Sequence, residues 1–320
     1  MAYVAGDTIL DDEYQTFVAS SSDPYGYNHF AGTGAGQYGL GQTHLVEVTP
    51  NATTITAAQW NALMTGIDNI ANHTNDSMTA RTAVVTGDTI AIKSAVAADL
   101  ATLAASVAGG CVNATALSAG SELQSSQSST RYAGSHTVEH TVTFANGNNL
   151  RFFFNAGGKI RIDPSCVTGI DGLKDDVFND LTTVAIGNLD LGAHATTRSG
   201  SGETLTTNGL ANGFHNLTTS YTTLIKLTSD NSGYTSNTLE IQAKLDAAVG
   251  TATVITIKMI AVDADNDDTY TAGNTDGVPA NPNEAPRMTL ALIEVYPTNG
   301  EGLSANIQSS SNAEVSNTAS

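Results

Sequence analysis

Apolar residues recur at helical spacing through the first third of the chain and switch to alternation after it. Leu10, Tyr14, Phe17 and Val18 fall at i, i+4, i+7 and i+8. Trp60, Leu63, Met64, Ile67, Ile70 and Ala71 form a longer stripe of the same kind. Ile92, Val96, Leu100, Leu103 and Val107 form a third, within an alanine-rich stretch. Such spacing puts each set on one face of an α-helix. A similar polar start precedes each stripe: Gly6-Asp7-Thr8-Ile9, Thr53-Thr54-Ile55-Thr56 and Gly87-Asp88-Thr89-Ile90. Asp and Thr in these starts can accept hydrogen bonds from the amides of a first helical turn.

From His136 the period becomes two. Val138, His140, Val142 and Phe144 share one face of a predicted strand,. Leu239–Leu245 alternates cleanly, and Tyr221–Thr228, Thr253–Val262 and Met288–Tyr296 do so less strictly. Leu150–Phe154 and Lys159–Ile162 flank Asn155-Ala156-Gly157-Gly158, which reads as a hairpin with Gly157 or Gly158 at positive φ,. In that hairpin Phe152 and Phe154 face one side and Phe153 the other. A short helix is expected around Val177, Leu181 and Val184. Residues 109–134, rich in Ser, Gly, Ala and Gln, read as a linker, and 298–320 as a polar tail that lies along a partner or stays mobile,. The fold class that follows is α+β. It comprises a helical region over 1–108, the linker, and an antiparallel β-sandwich over 135–297.

Composition narrows the class of protein. Charged residues are 13% and aromatics 6%, with Thr, Ser, Ala, Asn and Gly taking their place. This is the profile of exported or particle-forming β-rich chains more than of cytosolic enzymes. Twelve Lys and Arg against 31 Asp and Glu give a net charge of −19. Such a charge repels phosphate backbones and anionic lipid, so neither nucleic acid nor membrane is an expected partner. No apolar run reaches the ~20 residues of a membrane span. The start also lacks the basic and apolar regions of a signal peptide,. Cys111 and Cys166 sit in no motif, so neither a zinc site nor a redox pair is expected,.

Candidate chemistry is sparse. Pro24–Phe30 and the glycine-rich run to Gly41 interleave Tyr and Gly without the Lys of a phosphate cradle, and read as a docking loop,. The expected interface residues are Tyr25, Tyr27, Phe30, Tyr38, Trp60, Phe152, Phe153 and Phe154. Asp263, Asp265 and Asp267 are the candidate calcium ligands of an acidic run ending at Asp268,. An EF-hand would need Gly and Glu where Asp268 and Asn274 stand. Mutual repulsion of these carboxylates favours a loop projecting into water, without an ordered metal. His136 and His140 share a strand face and read as core or interface residues,. No nucleophile elbow or HExxH occurs, so no catalytic residue and no cofactor are expected,. A hydrolase would want paired carboxylates with aromatic platforms, and the one Trp lies on a helical stripe,.

Phe152–Arg161, FFFNAGGKIR, resembles a motif of structural proteins of tailed phages, T4-like cyanophages among them. The stretches GDTI, YGYNHFAGTGAGQYGLGQT and ITAAQWNALMTGIDNIANHTN, and segments around Leu217–Tyr221 and Leu239–Ala243, are similar to those of the same virion proteins. The likeness covers most of residues 6–262, and Asp263–Pro286 looks like an expansion. It implies a non-enzymatic virion subunit of neck, tail or fibre type. Such a subunit would self-associate, as a trimer by analogy with phage fibres, and dock on other virion proteins. The alternative is a receptor- or glycan-binding adhesin module, which would expose Tyr234 and Tyr270 near the sandwich loops.

Overall fold

The computed structural model describes residues 11–19, 26–31, 43–49, 54–74, 76–88, 93–108, 117–124, 134–155, 157–167, 173–231, 234–264, 287–297 and 311–319. The chain divides into two compact units. One comprises residues 1–118, 151–158 and 296–307, and the other 119–150, 159–295 and 308–320. Helices come first and antiparallel strands follow, which is the expected α+β class.

The first unit contains α1 (Asp11–Val18), α2 (Tyr27–Ala31), α3 (Ala57–Thr74) and α4 (Lys93–Ala108). The predicted stripes are its core: Tyr14, Phe17 and Val18 from α1, Trp60 through Ala71 from α3, and Val96, Leu100 and Leu103 from α4. Phe17 meets Trp60 edge to face at 6.4 Å,. Leu10 and Ile92 lie outside the described residues. Of the three start signals, the one at Thr56 caps a helix. The Thr56 Oγ1 accepts from the Gln59 amide at 3.2 Å, and the Gln59 Oε1 accepts from the Thr56 amide at 3.0 Å, a reciprocal capping box,. Asp88 does different work, its carboxylate accepting from the Val85 amide in a turn ahead of α4. Gly6–Ile9 lies outside the described residues.

The second unit is built on two sheets. Their strands are β1 (Leu117–Gln124), β2 (Ser135–Thr143), β3 (Lys159–Val167), β4 (Leu189–Leu191), β5 (Thr196–Arg198), β6 (Thr204–Asn208), β7 (Thr222–Thr228), β8 (Thr238–Leu245), β9 (Val254–Val262), β10 (Arg287–Pro297) and β11 (Ser311–Ala319). One sheet runs β1-β10-β3-β4-β5 and the other β11-β2-β9-β8-β7-β6. On β2 and β8 burial alternates strictly, with Val138, Val142, Leu239, Ile241 and Leu245 inward, as their period of two predicts,. β4 pairs with Ile160–Ile162 of β3 only. Pro164, which has no amide hydrogen to donate, lies past that pairing,. The short helix expected near Val177 exists as α6 (Leu173–Asn179) and runs on into a π-helix, Asp180–Ile186. The π-helix buries Leu181, Ala185 and Ile186 and packs on β3 of one sheet and β8 of the other.

Three expectations are corrected. The predicted hairpin is a helix, α5 (Gly147–Asn155), followed directly by β3. Asn146 caps its start, with Oδ1 2.9 Å from the Asn149 amide,. The Gly-Gly pair ends it in a Schellman motif. Gly157, at φ 85°, donates to Phe154 O, and Gly158 donates to Phe153 O,. Leu150, Phe153 and Phe154 stand at i, i+3 and i+4 and are fully buried, so the three phenylalanines do not alternate between sheet faces. A short apolar run fits a buried helix as well as a buried strand, and the same glycines serve either end signal.

The second and third corrections concern polar segments. The stretch read as a linker carries β1, hydrogen-bonded beside β10, and the stretch read as a tail carries β11, bonded along β2. Each is an outermost strand, joined to its sheet along one side through backbone groups that carry no sequence signature.

Candidate functional site

In the first unit the polar side chains of helices hold segments that have no regular secondary structure. On α2, Asn28 Nδ2 donates to Leu45 O and Asn28 Oδ1 accepts from the Leu45 amide, both at 2.9 Å. On α3, Asn61 makes the same pair with Val84, again at 2.9 Å for both bonds. Gln15 of α1 accepts from the Val48 amide, and Asp99 of α4 accepts from the Thr79 amide at 3.2 Å. A side-chain amide can replace a neighbouring strand, because it offers one donor and one acceptor to one residue's backbone. Asp99 also pairs with Arg81, whose side chain is buried and lies 3.7 Å from Asp68 of α3. Burial depresses the Arg81 guanidinium, and Asp68 opposes that shift. Segments 43–49 and 76–85 are therefore stitched to the helices. Val46 and Val85, each next to an anchored residue, remain exposed at 74% and 68%.

The second unit carries a cross-strand ladder on the outward face of its six-stranded sheet. Glu139 of β2 stands opposite Lys258 of β9, which stands opposite Gln242 of β8. Lys258 Nζ lies 2.9 Å from Glu139 Oε1, and the Tyr221 hydroxyl donates to the same oxygen at 2.5 Å. The ammonium groups of Lys258 and Lys244 lie over the Tyr221 ring, 3.7 and 4.3 Å from its centroid,. One strand over, Glu240 accepts from Thr223 and Gln242 and pairs with Lys226 at 3.4 Å. Burial pushes both carboxyls up, but the hydrogen bonds and lysine charges outweigh it and hold them below their ordinary range,. The Tyr221 phenol is raised, by burial first and by the Glu139 carboxylate it bonds.

On β2, beside the outermost strand of that sheet, lie two histidines. His136 and His140 are 1% and 3% exposed on the inward face of β2. His136 Nε2 meets Asn317 Oδ1 of β11 at 2.7 Å. Burial lowers both imidazoles, opposed at His136 by Asn317 and Glu314 and at His140 by Glu314 and the Ala313 backbone. A second pair, His194 and His215, stacks with ring centroids 5.3 Å apart and planes 26° apart. Stacked rings direct their in-plane lone pairs side by side and do not converge on an ion.

Of the residues expected to form interfaces, the six that are described are buried within the chain. Tyr27, Phe30 and Trp60 belong to the core of the helical unit. Phe152, Phe153 and Phe154 are buried on α5. Tyr25 and Tyr38 lie outside the described residues. The aromatic bulk of the six described residues is used for packing, which the Tyr/Gly setting of Tyr27 and Phe30 concealed. Asp263 does not project into water. It is 2% exposed, and its amide donates to Gly134 O at 2.8 Å, extending the β9–β2 pairing by one residue. Asp265 and Asp267 lie outside the described residues. Among the described residues, no group of three or more His, Cys, Asp or Glu is placed to hold a metal, and no helix is long and apolar enough to cross a membrane. Tyr234 is buried and so cannot be an exposed sugar platform, while Tyr270 is not described. Cys166 is a buried thiol on β3, and Cys111 is not described.

Sequence reasoning missed the anchoring asparagines and the ladder. The signal for Asn28 and Asn61 is a poor helix former set among apolar helix positions, beside Tyr27 and Trp60,. The ladder is visible only once the register puts Glu139, Lys258 and Gln242 in one row. Comparison with family models, curated proteins and solved structures gives no match to this chain.

Proposed function

We propose that this chain is a non-enzymatic structural subunit of a tailed-phage virion, a neck, tail or fibre component that self-associates and docks on other virion proteins. The observation that carries the reading is where the polar groups are used. Asn28, Asn61, Gln15 and Asp99 bond to the chain's own backbone between the helices, and Glu139, Glu240, Lys226 and Lys258 form ion pairs across strands. Groups tied up in this way fix a surface and hold arms in place, which is what a subunit needs in order to present one geometry to its neighbours. The likeness of FFFNAGGKIR and its companion segments to virion proteins supplies the setting.

A particle component of this kind works as repeated copies under closed symmetry. The test is sedimentation of the purified chain over a range of concentrations. A discrete oligomer of 32.9 kDa subunits is expected, a trimer by analogy with fibres. A monomer at the highest concentration reached would overturn self-association.

A further inference from the structure

We infer that the β2 edge is a strand-exchange site, and that in the assembled protein it is filled by the Ser311–Ala319 strand of a second copy. The inference rests on the self-associating subunit proposed above and identifies the contact through which copies engage.

The edge needs a strand. Along β2, the residues from His136 to Thr143 are matched by β11 in antiparallel register. His136 and His140 are buried with Asn317 and Glu314 as their neighbours on β11. Without the strand, the backbone groups on this side of β2 would lose their partners and the histidines their cover.

The strand has little to tie it to one particular copy. None of its side chains that the structure describes is buried, and Val315 is 55% exposed. Asn317 bonds to His136 of β2, and the Ala313 carbonyl accepts from Thr141 Oγ1 of β2 at 3.3 Å. A strand from another copy makes the same bonds with the same energy, which is the condition for exchanging an element between identical chains.

Thirteen residues, 298–310, join Pro297 of β10 to Ser311, a length of chain that would span about 43–47 Å if fully extended,. Intramolecular docking enjoys an effective concentration of order millimolar. Dilute copies therefore keep their own strands, whereas subunits held side by side compete on equal terms. Simple edge-to-edge addition is disfavoured, because the register breaks between Glu314 and Ser316 and a bulge makes a poor template for another strand,.

Thr141 and Ala313 stand opposite each other across the β2–β11 pair. In a background with Cys111→Ser and Cys166→Ala, two differently tagged copies, one Thr141→Cys and one Ala313→Cys, are co-expressed and oxidised. A disulfide-linked species carrying both tags is expected. The Thr141→Cys/Ala313→Cys double variant checks that the two positions can bridge. If the double variant closes only within single chains and the co-expressed pair gives no doubly tagged species, strand exchange is overturned. Sedimentation of the same samples separates the two ideas. An oligomer without doubly tagged product removes the exchange and leaves the subunit reading standing, whereas a monomer removes both.

Discussion

At the scale of single residues, the chain places polar groups where burial makes them consequential. His136 and His140 are held below the ordinary imidazole value of 6.5 chiefly by burial. The unfolded chain therefore takes up protons first as pH falls, so the folded state is fully stable above about pH 6.5 and loses stability below it. A thermal melt series from pH 8 to pH 5 should show a flat midpoint down to about 6.5 and a decline beyond it. Each 1 kcal/mol lost lowers the midpoint by about 2–4 °C in a domain of this size. The His136→Asn/His140→Val variant should flatten the profile over that window; an unchanged slope would mean that other groups cause it. Glu139 and Glu240, held below 4.5, contribute stability that is lost at lower pH still, so the two effects separate. The glycines at the end of α5 offer a second test. Gly157→Ala places a side chain at φ 85° and should cost about 1–2 kcal/mol,. A Cβ at Gly158 would lie 2.5 Å from the Phe153 carbonyl oxygen, a contact the backbone cannot easily relieve. Gly158→Ala should therefore cost more than Gly157→Ala in urea unfolding, and the reverse order would contradict the capping geometry.

Elements were legible where a packed face repeats. The α3 stripe from Trp60 to Ala71 and the β8 alternation from Leu239 to Leu245 are buried as their periods require,. Thr56 was legible as part of a helix start, and the structure adds Gln59 as its reciprocal partner in a capping box ahead of α3. Thr56→Ala should destabilise by about 1 kcal/mol. Because the two bonds are reciprocal, Thr56→Ala/Gln59→Ala should cost less than the sum of its parts. Additive losses in chemical unfolding would show two independent contacts. Elements were hidden where side chains do not decide the structure. β11 buries no described side chain and is defined by main-chain bonds to β2, so Ser, Asn and Thr there read as a tail. α5 was hidden by ambiguity, since Phe152–Phe154 followed by Gly-Gly satisfies a hairpin pattern until Asn146 is seen to cap a helix. Long side-chain amides holding segments 43–49 and 76–85 have no periodic signature at all. Such contacts span 17 residues at Asn28 and 23 at Asn61.

At the scale of the whole molecule, a net charge of −19 coexists with lysines gathered on one sheet face, Lys226, Lys244 and Lys258, where they are matched by Glu139, Glu240 and the Tyr221 ring. The charge that remains unbalanced lies elsewhere on the chain, where like charges oppose the close approach of identical surfaces. The proposed assembly would depend on shape and on backbone edges more than on charge pairing. This agrees with a low charged fraction and with a strand held on β2 through its main chain. As a virion component the chain would occupy a fixed place on the particle. Immunogold electron microscopy tests it most directly, with antibody raised against the purified chain and applied to tailed particles whose genome encodes it. Gold is expected at one fixed position on each particle, on the neck, tail or fibres. Particles that remain unlabelled while the antibody recognises the chain in the infected-cell lysate would contradict the account.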